Sequence, residues 1–304
     1  FTRSLNHGEI PSDWRNANIT AIHKKGDKEL PTNYRPISLT SIISRTMESL
    51  IQSRIVMHMK RNNLFSKNQF GFRPHRSTVL QLLTVMEHWT KAIDEGSIVD
   101  TCYIDVMKAF DTVPHRRLLL KLHSYGIRGK LLDWIDAFLS QRYQRVLVNG
   151  CPSESVPVKS GVPQGSVLGP VLFVLYVNDM PNLVSSHLFM YADDTKIFRT
   201  INSPEDSQAL QDDINKLQEW SMTWLLKYHP EKCKMLRIGR RTGPETTYKM
   251  TTTSGEVELA WSTCERDLGV LVDGKLKFSD EIGRRVKKAN SIVGIIRFKN
   301  FHLS

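Results

Sequence analysis

Three aspartates occupy positions from which carboxylates can do chemistry together. Asp105 follows residues 98–104, a β-branched and aromatic run typical of a strand, and Asp193 and Asp194 lie in a turn between two strand-like runs. If these elements are neighbours in a sheet, the three carboxylates surround one spot. Oxygen ligands suit Mg²⁺, and two such ions about 4 Å apart activate an attacking hydroxyl and stabilise a leaving oxygen in phosphoryl transfer. The alternative is a turn without metal, since aspartate favours turns.

Short strands and amphipathic helices are predicted around these carboxylates. Apolar residues recur at helical spacing over residues 43–55 and 79–93, and Ser203-Pro204 begins a third helix with a serine cap. A basic helix is predicted over residues 282–298. The predicted strands are residues 98–104, 188–191, 195–199, 233–238 and 268–272, with a hairpin through Gly150 that pairs residues 146–148 with 156–158.

The composition is that of a basic globular protein. The 304 residues include 42 Lys and Arg against 31 Asp and Glu, a formal net charge of +11, and 40% are hydrophobic, which excludes disordered and collagen-like chains. The positive charge favours a polyanionic partner, because basic side chains that neutralise phosphates release counterions. A basic surface that serves only solubility is the alternative.

Several features bear on location and processing. The longest uncharged apolar run, residues 167–177, falls short of the roughly 20 residues that a membrane span requires, so we expect no transmembrane helix. The four cysteines lack the spacing of a zinc site, and we expect reduced thiols in an intracellular protein. Phe1 stands where an initiator Met is usual and no signal peptide follows, which indicates a fragment of a longer product.

Ordered motifs extend over nearly the whole chain. They are Trp14-Arg15-Asn16-Ala17, Asn33-Tyr34-Arg35-Pro36-Ile37-Ser38-Leu39, Gln69-Phe70-Gly71-Phe72-Arg73, Ala109-Phe110-Asp111-Thr112-Val113-Pro114-His115, Ser160-Gly161-Val162-Pro163-Gln164-Gly165-Ser166-Val167-Leu168-Gly169-Pro170, Tyr191-Ala192-Asp193-Asp194-Thr195-Lys196 and Asp267-Leu268-Gly269-Val270. With these motifs the chain resembles the reverse transcriptase domain of non-LTR (LINE-type) retrotransposons, most closely the jockey and CR1-like group.

This resemblance implies a right-hand polymerase of the α+β class, with an antiparallel-sheet palm, fingers and a partial thumb. Residues 1–97 would form the fingers and 98–117 the first part of the palm. Residues 118–159 would connect fingers and palm, and 160–274 would complete the palm with a primer-grip hairpin. Residues 275–304 would begin a truncated thumb.

The resemblance also implies a reaction and its partners. Asp105 and Asp193 would ligate two Mg²⁺ ions, with Mn²⁺ as the alternative ion and Asp194 in the same carboxylate group. The primer 3′-hydroxyl would attack the α-phosphate of an incoming dNTP on an RNA template, with a DNA primer or target DNA and no membrane. Lys232 matches a lysine thought to protonate the leaving pyrophosphate. By the same resemblance the protein would act in the nucleus and cytoplasm.

Further matches concern the incoming nucleotide. Lys24 or Lys25 and Arg73 match basic finger positions that hold the triphosphate, with Lys as a point charge and Arg as a fork. For the lysines, a solvated loop charge is the alternative. Phe110 matches a bulky residue beneath the sugar that clashes with a 2′-hydroxyl. As a plain sequence feature, Phe110 could instead be a core aromatic.

Two glycine-containing segments complete the predicted site. Gln164, with Gly161 and Gly165, matches the loop that lines the nascent base pair, where glycine permits close backbone approach. Leu268 and Gly269 match the primer-gripping hairpin. The resemblance therefore predicts one site assembled from loops spread over the chain.

Two departures from the family pattern leave rival functions open. Val106-Met107 replaces the usual Phe-Ser after Asp105, and His229 replaces Asn before Pro230. Both changes fit a decayed copy, so a catalytically silent remnant that binds nucleic acid is one alternative. An RNA-dependent RNA polymerase is another, which Phe110 disfavours because it leaves little room for a ribose hydroxyl.

Overall fold

Helices and strands are mixed along the chain in the computed structural model, which describes residues 1–24, 26–239, 246–252 and 255–301. The helices are α1 (Thr2–His7), α2 (Ser12–Arg15), α3 (Ile42–Arg61), α4 (Thr78–Asp94), α5 (Ala109–Thr112), α6 (His115–Ser124), α7 (Lys130–Leu139), α8 (Gly169–Val177), α9 (Pro204–Trp224) and α10 (Ser279–Phe301). The strands are β1 (Asn16–His23), β2 (Tyr34–Leu39), β3 (Ile98–Ile104), β4 (Arg142–Val148), β5 (Cys151–Pro152), β6 (Val156–Val158), β7 (His187–Tyr191), β8 (Asp194–Ile201), β9 (Lys234–Ile238), β10 (Lys249–Thr252), β11 (Gly255–Glu258), β12 (Ala260–Ser262), β13 (Cys264–Asp267) and β14 (Val270–Asp273).

The helices predicted from apolar spacing are present. Residues 43–55 and 79–93 lie within α3 and α4, and the predicted basic helix lies within α10. α9 follows Ser203 and starts with a capping box. The Ser203 side chain accepts the backbone N–H of Asp206, and the Asp206 side chain accepts the backbone N–H of Ser203. The cap satisfies N–H groups that have no partner inside the helix, which explains why the helix starts there.

A five-stranded sheet forms the centre of the molecule, in the order β12-β9-β3-β8-β7. Its neighbours are antiparallel except for β12 beside β9. β3 is buried on both faces: Val99 joins a cluster with Trp89 of α4, and Cys102 joins the main core. The antiparallel palm sheet expected from the sequence is therefore present, while the predicted domain boundaries stay predictions.

α8 is the core helix beneath this sheet. Eight of its residues are buried, because the segment is apolar on all sides and has no face suited to water.

Among the described residues, no helix is both long and apolar enough to cross a membrane. All four cysteines are free thiols.

The second sheet, in the order β2-β1-β4-β5 with β6 on β4, corrects one predicted register. Residues 156–158 pair with Arg142–Gln144 and not with 146–148. Asn149 and Gly150 both have positive φ, 50° and 82°, and form a tight turn that places Cys151 directly opposite Val148. Residues 146–148 are thus next to the turn, and residues 156–158 pair with the start of β4, farther from the turn.

The strand predicted over residues 268–272 is wrong at its first two positions. Leu268 and Gly269 have φ values of 47° and 90° and form the turn between β13 and β14, where Asp267 pairs with Val270. A two-residue turn of this kind requires positive φ, which overrides the strand preference of the apolar pattern. The segment is therefore a tight hairpin whose tip carries Leu268.

Candidate active site

The three predicted catalytic aspartates lie in one cleft. β3 and β8 pair with Ile104 opposite Thr195, so Asp105 and Asp194 are neighbours at the same edge of the sheet. Asp193 lies in the turn just before Asp194. An open cleft of about 180 Å³ is located there. Its lining includes Tyr103, Asp105, Asp193, Asp194, Lys196, Lys232, Asp267 and Leu268.

The turn that carries Asp193 has an unusual backbone. β7 and β8 pair up to Tyr191 and Asp194, which leaves Ala192 and Asp193 as a two-residue turn. Ala192 has a φ of 58°, in the left-handed region. This conformation costs an L-residue about 1–2 kcal/mol, so contacts elsewhere must hold it.

Negative charge in the cleft is left without an ion-pair partner. Burial raises the pKa of Asp193, and the charge of Asp105 raises it further. Burial, followed by the charges of Asp193 and Asp267, raises the pKa of Asp194 to about 6. Lys196 is the buried cation beside them, and its ammonium group pairs with Asp267. Within the described ranges, no ion pair reaches Asp105, Asp193 or Asp194.

The donor set fits a hard divalent cation. All three groups supply carboxylate oxygens, which Mg²⁺ prefers, and a cation would offset the burial and the mutual repulsion that raise the pKa values of Asp193 and Asp194. Among the described residues, no three His, Cys, Asp or Glu side chains are already gathered closely enough to hold an ion. The cleft therefore has the chemistry of a metal site, in which substrate oxygens and water would complete the ligand set.

The backbone around Asp105 is held by the segment before β9. The Asp105 N–H donates to Cys233 Sγ at 3.4 Å, and its carbonyl accepts the His229 N–H at 2.9 Å. Lys232 belongs to a short 3₁₀ turn in this segment, Pro230–Lys232, and is exposed at the cleft. The predicted proton donor thus lies beside the carboxylates, and Cys233 is a supporting residue that the sequence analysis missed.

Phe110 lies at a junction of two loops. Its half-buried ring stacks on Phe173 of α8 with centroids 4.5 Å apart and meets Phe72 edge-on at 6.3 Å. Its carbonyl accepts the Val162 N–H at 2.7 Å. Phe110 therefore packs against the core and keeps one part accessible, while its role beneath the sugar stays a prediction.

The predicted base-pair loop is held tightly against α5 and β2. A side chain at Gly161 would place its Cβ 2.6 Å from the Asp111 carbonyl oxygen, and one at Gly165 would come within 2.6 Å of Ser38 O. Gln164 Nε2 donates to Asp111 Oδ1 at 2.9 Å. Only glycine fits at the two positions, because both also have positive φ.

Glu48 of α3 fixes the far end of this loop, and sequence analysis missed it. Its fully buried carboxylate accepts the N–H groups of Val167 and Leu168 at 2.8 and 3.1 Å. These groups lie just before α8, where the helix dipole favours an anion. A helix from the predicted fingers therefore positions the loop that contains Gln164.

The remaining predicted residues lie outside the cleft lining. The Arg73 guanidinium donates to the carbonyls of Ser66 and Gln69 and lies over the Phe65 ring. Lys24 is exposed in the loop after β1, and Lys25 lies outside the described residues. Gly269 is exposed at the hairpin tip, where its carbonyl accepts a hydrogen bond from Arg284. The roles assigned to these residues stay predictions.

Comparison with known sequences identifies relatives over most of the chain. A family model described as reverse transcriptase (RNA-dependent DNA polymerase) matches residues 22–270. A probable RNA-directed DNA polymerase from transposon X-element of Drosophila melanogaster is 33% identical over 90% of this chain. The RNA-directed DNA polymerase from mobile element jockey of the same species is 31% identical over 93%. This chain covers 30% and 31% of the length of those two relatives.

Solved structures share the fold. Apo telomerase from Candida tropicalis, truncated from its C-terminal domain, superposes with a TM-score of 0.56 at 12% identity, covering 82% of this chain and 54% of that one. Telomerase from Candida albicans in complex with a fragment of telomeric RNA gives 0.55 at 11% identity, covering 91% and 49%. The α+β right-hand polymerase fold predicted from the sequence is confirmed.

Proposed function

Because this chain belongs to the reverse transcriptase family, we propose that it catalyses RNA-directed DNA synthesis. The substrates are dNTPs, an RNA template and a DNA primer or target DNA. The observation that carries the proposal is the meeting of Asp105, Asp193 and Asp194 in one cleft, without an ion pair to any of them within the described residues. A carboxylate group of this kind suits phosphoryl transfer, because it concentrates cations where phosphate charge must be neutralised.

We propose that the three aspartates hold two Mg²⁺ ions. When bound, such ions lower the pKa of an attacking hydroxyl and stabilise the leaving oxygens of a triphosphate. The protein's contribution is to fix the carboxylates: β3 and its bonds to the His229–Cys233 segment fix Asp105, and the β7–β8 turn fixes Asp193. β3, β7 and β8 belong to one sheet. The sheet gives the carboxylates the fixed geometry that catalysis needs.

Two further side chains are suited to defined steps. Lys232 is exposed at the cleft beside the carboxylates, where its ammonium group would protonate a leaving pyrophosphate. Phe110 is fixed between Phe72 and Phe173 and would select against a 2′-hydroxyl by steric exclusion.

The exposed basic residues Arg285, Lys287 and Lys288 of α10 would contact nucleic-acid phosphates.

The test is extension of a DNA primer on an RNA template with Mg²⁺ and dNTPs. Asp193→Asn is compared with Asp212→Asn, an exposed carboxyl on α9. We expect Asp193→Asn to abolish incorporation with nearly unchanged template affinity and no loss of thermal stability, because it removes a charge that burial and Asp105 disfavour. Asp212→Asn should match the parent protein.

Each other outcome points elsewhere. Template binding without extension by the parent protein would favour the silent remnant. Preferential use of ribonucleotides would favour an RNA polymerase. Extension by Asp193→Asn at the parent rate would remove this carboxylate from the reaction.

A further inference from the structure

Gln69 is a fully buried amide behind the catalytic turn. Its Oε1 accepts the Ala192 N–H at 3.0 Å and the Gly71 N–H at 2.8 Å. Its Nε2 lies 3.5 Å from the Ala192 carbonyl oxygen, to which it donates. One side chain therefore satisfies both backbone polar groups of the residue that precedes Asp193.

The backbone around Gln69 adds to this contact. The Phe70 N–H donates to Met190 O at 2.8 Å and the Met190 N–H donates to Asn68 O at 2.9 Å, so the segment runs beside β7 as a parallel bridge. At Gly71 an added Cβ would lie 2.3 Å from the Ala192 nitrogen. Residues 68–71 thus form a clamp, whose close approach to the turn depends on glycine.

This clamp holds a conformation that is costly by itself. Ala192 has left-handed φ. Glycine adopts positive φ as readily as negative φ, whereas the Cβ of alanine makes this conformation unfavourable. Strained residues persist where surrounding contacts over-determine them, and such contacts are common at functional sites. Without the Gln69 amide, the Ala192 N–H and C=O would be buried and lose these partners, so the turn would shift to satisfy them.

We propose that Gln69 is a positioning residue for nucleotidyl transfer, which sets the backbone of Ala192 and through it the placement of the Asp193 carboxylate. The inference rests on the proposed function of that carboxylate. It extends the site to a residue that touches neither substrate nor cation. Gln69 is 124 positions before Asp193 in the chain, so the fold alone brings them together.

Gln81 offers a matched control within the same chain. It is also a fully buried glutamine, located in α4, and among the described residues neither its Oε1 nor its Nε2 has a hydrogen-bond partner. Replacing Gln81 by Met keeps the side-chain volume and removes no bond. Replacing Gln69 by Met keeps the side-chain volume and removes the three hydrogen bonds of Gln69 to Ala192 and Gly71.

The experiment compares Gln69→Met, Gln69→Glu and Gln81→Met in single-nucleotide extension. We expect Gln69→Met to lower kcat on the order of 10²-fold, since a misplacement of about 1 Å costs this much, with KM for dNTP changed less than threefold. Gln69→Glu keeps the oxygen that accepts two N–H groups and should retain more kcat than Gln69→Met. Gln81→Met should keep kcat within twofold.

Hydrogen exchange gives a readout that is independent of activity. In the parent protein, the amide of Ala192 should be protected, and Gln69→Met should speed its exchange at least tenfold while leaving peptides from α9 unchanged. Gln81→Met should leave Ala192 unchanged. If the parent protein does not extend primers, the proposed function fails, and this exchange measurement still decides the positioning role.

Two results would overturn the inference. One is a folded Gln69→Met protein with parental kcat, or with Ala192 exchange equal to the parent. The other is an Ala192 amide that exchanges as fast in Gln69→Glu as in Gln69→Met, since the acceptor oxygen would then be of no use. If Gln69→Met does not fold, the comparison of Gln69→Glu with the parent in kcat and exchange takes its place.

Discussion

Two neighbouring aspartates, Asp100 within β3 and Asp105 directly after it, have opposite surroundings in the fold. Asp100 is fully buried in the middle of β3, where Arg237 donates to its two oxygens at 2.7 and 2.8 Å and Tyr248 OH donates at 2.9 Å. Asp105, at the end of β3, is exposed in the cleft, and within the described ranges no side-chain donor reaches its carboxylate. One carboxylate is neutralised by the protein, whereas the other is kept available.

The same contrast separates Asp213 from Asp194. Burial would raise the pKa of Asp213, but hydrogen bonds from Lys216, Ser186 and Ser185 outweigh it and lower the pKa to about 2. Asp194 lies among other carboxylates, and burial, followed by their charges, raises its pKa to about 6. The fold therefore supplies donors to the carboxylates that hold it together and supplies none to the carboxylates that we propose bind cations.

The sharpest test of this contrast replaces Asp100 and Asp105, one at a time, by Asn. Asp105→Asn should abolish primer extension, a loss on the order of 10³-fold or more, and leave the free energy of unfolding unchanged, because no protein donor loses its partner. Asp100→Asn should lower that free energy by about 3 kcal/mol, since breaking a buried pair leaves an uncompensated partner. The folded fraction of Asp100→Asn should keep parental kcat, which primer extension and urea unfolding together measure.

A reversed pattern, with a stable inactive Asp100→Asn and an unstable active Asp105→Asn, would contradict the division between the two carboxylates. Equal loss of stability in both variants would also contradict it. The paired design is informative because the residue type and the substitution are the same and the two positions lie five residues apart.

Sequence alone located Asp105, Asp193 and Asp194 because strand ends and turns leave local patterns. The residues that support them leave none: Gln69 and Ala192 are bonded across 123 positions, and Asp105 and Cys233 across 128. The Gln69-Phe70-Gly71-Phe72-Arg73 motif predicts a role for Arg73, whose guanidinium is bonded to its own turn, and contains no local sign of the contact that Gln69 makes. Contacts between distant segments follow from strand order and register, which no local pattern encodes.

The errors of local interpretation have the same origin. Leu268 was predicted as strand from its apolar neighbours, yet it adopts positive φ at a hairpin tip. There the buried pair of Lys196 with Asp267, together with Tyr103 OH at 3.4 Å from Asp267, fixes β13 against the central sheet. Tertiary contacts thus decide the turn, and propensity does not.

Asp267 sharpens the comparison, because it lines the cleft but is partnered like a structural carboxylate. We expect Asp267→Asn to lower the free energy of unfolding by about 3 kcal/mol, since it leaves the Lys196 ammonium buried without its charge partner. Adding Lys196→Met should restore most of the stability. Chemical unfolding of the single and double variants measures the coupling.

If Asp267→Asn were as stable as the parent and inactive, Asp267 would belong with the carboxylates proposed to be catalytic. A double variant no more stable than Asp267→Asn would show that the pair is not the source of the loss. Either result would contradict the interpretation of Asp267 as a structural carboxylate held by its ion pair.

The smallest expected effect concerns Asp213, and it depends on pH. Its folded-state pKa of about 2 lies below the usual value of 3.8 for aspartate, so the native state favours the charged form. The resulting stability, about 2 kcal/mol, is complete above pH 4 and is lost as pH falls through 2. Asp213→Asn should therefore be less stable than the parent at pH 7, with a difference that shrinks below pH 4. Urea unfolding at pH 7, 4 and 3 measures it, and a difference independent of pH would assign the loss to packing and not to the charge.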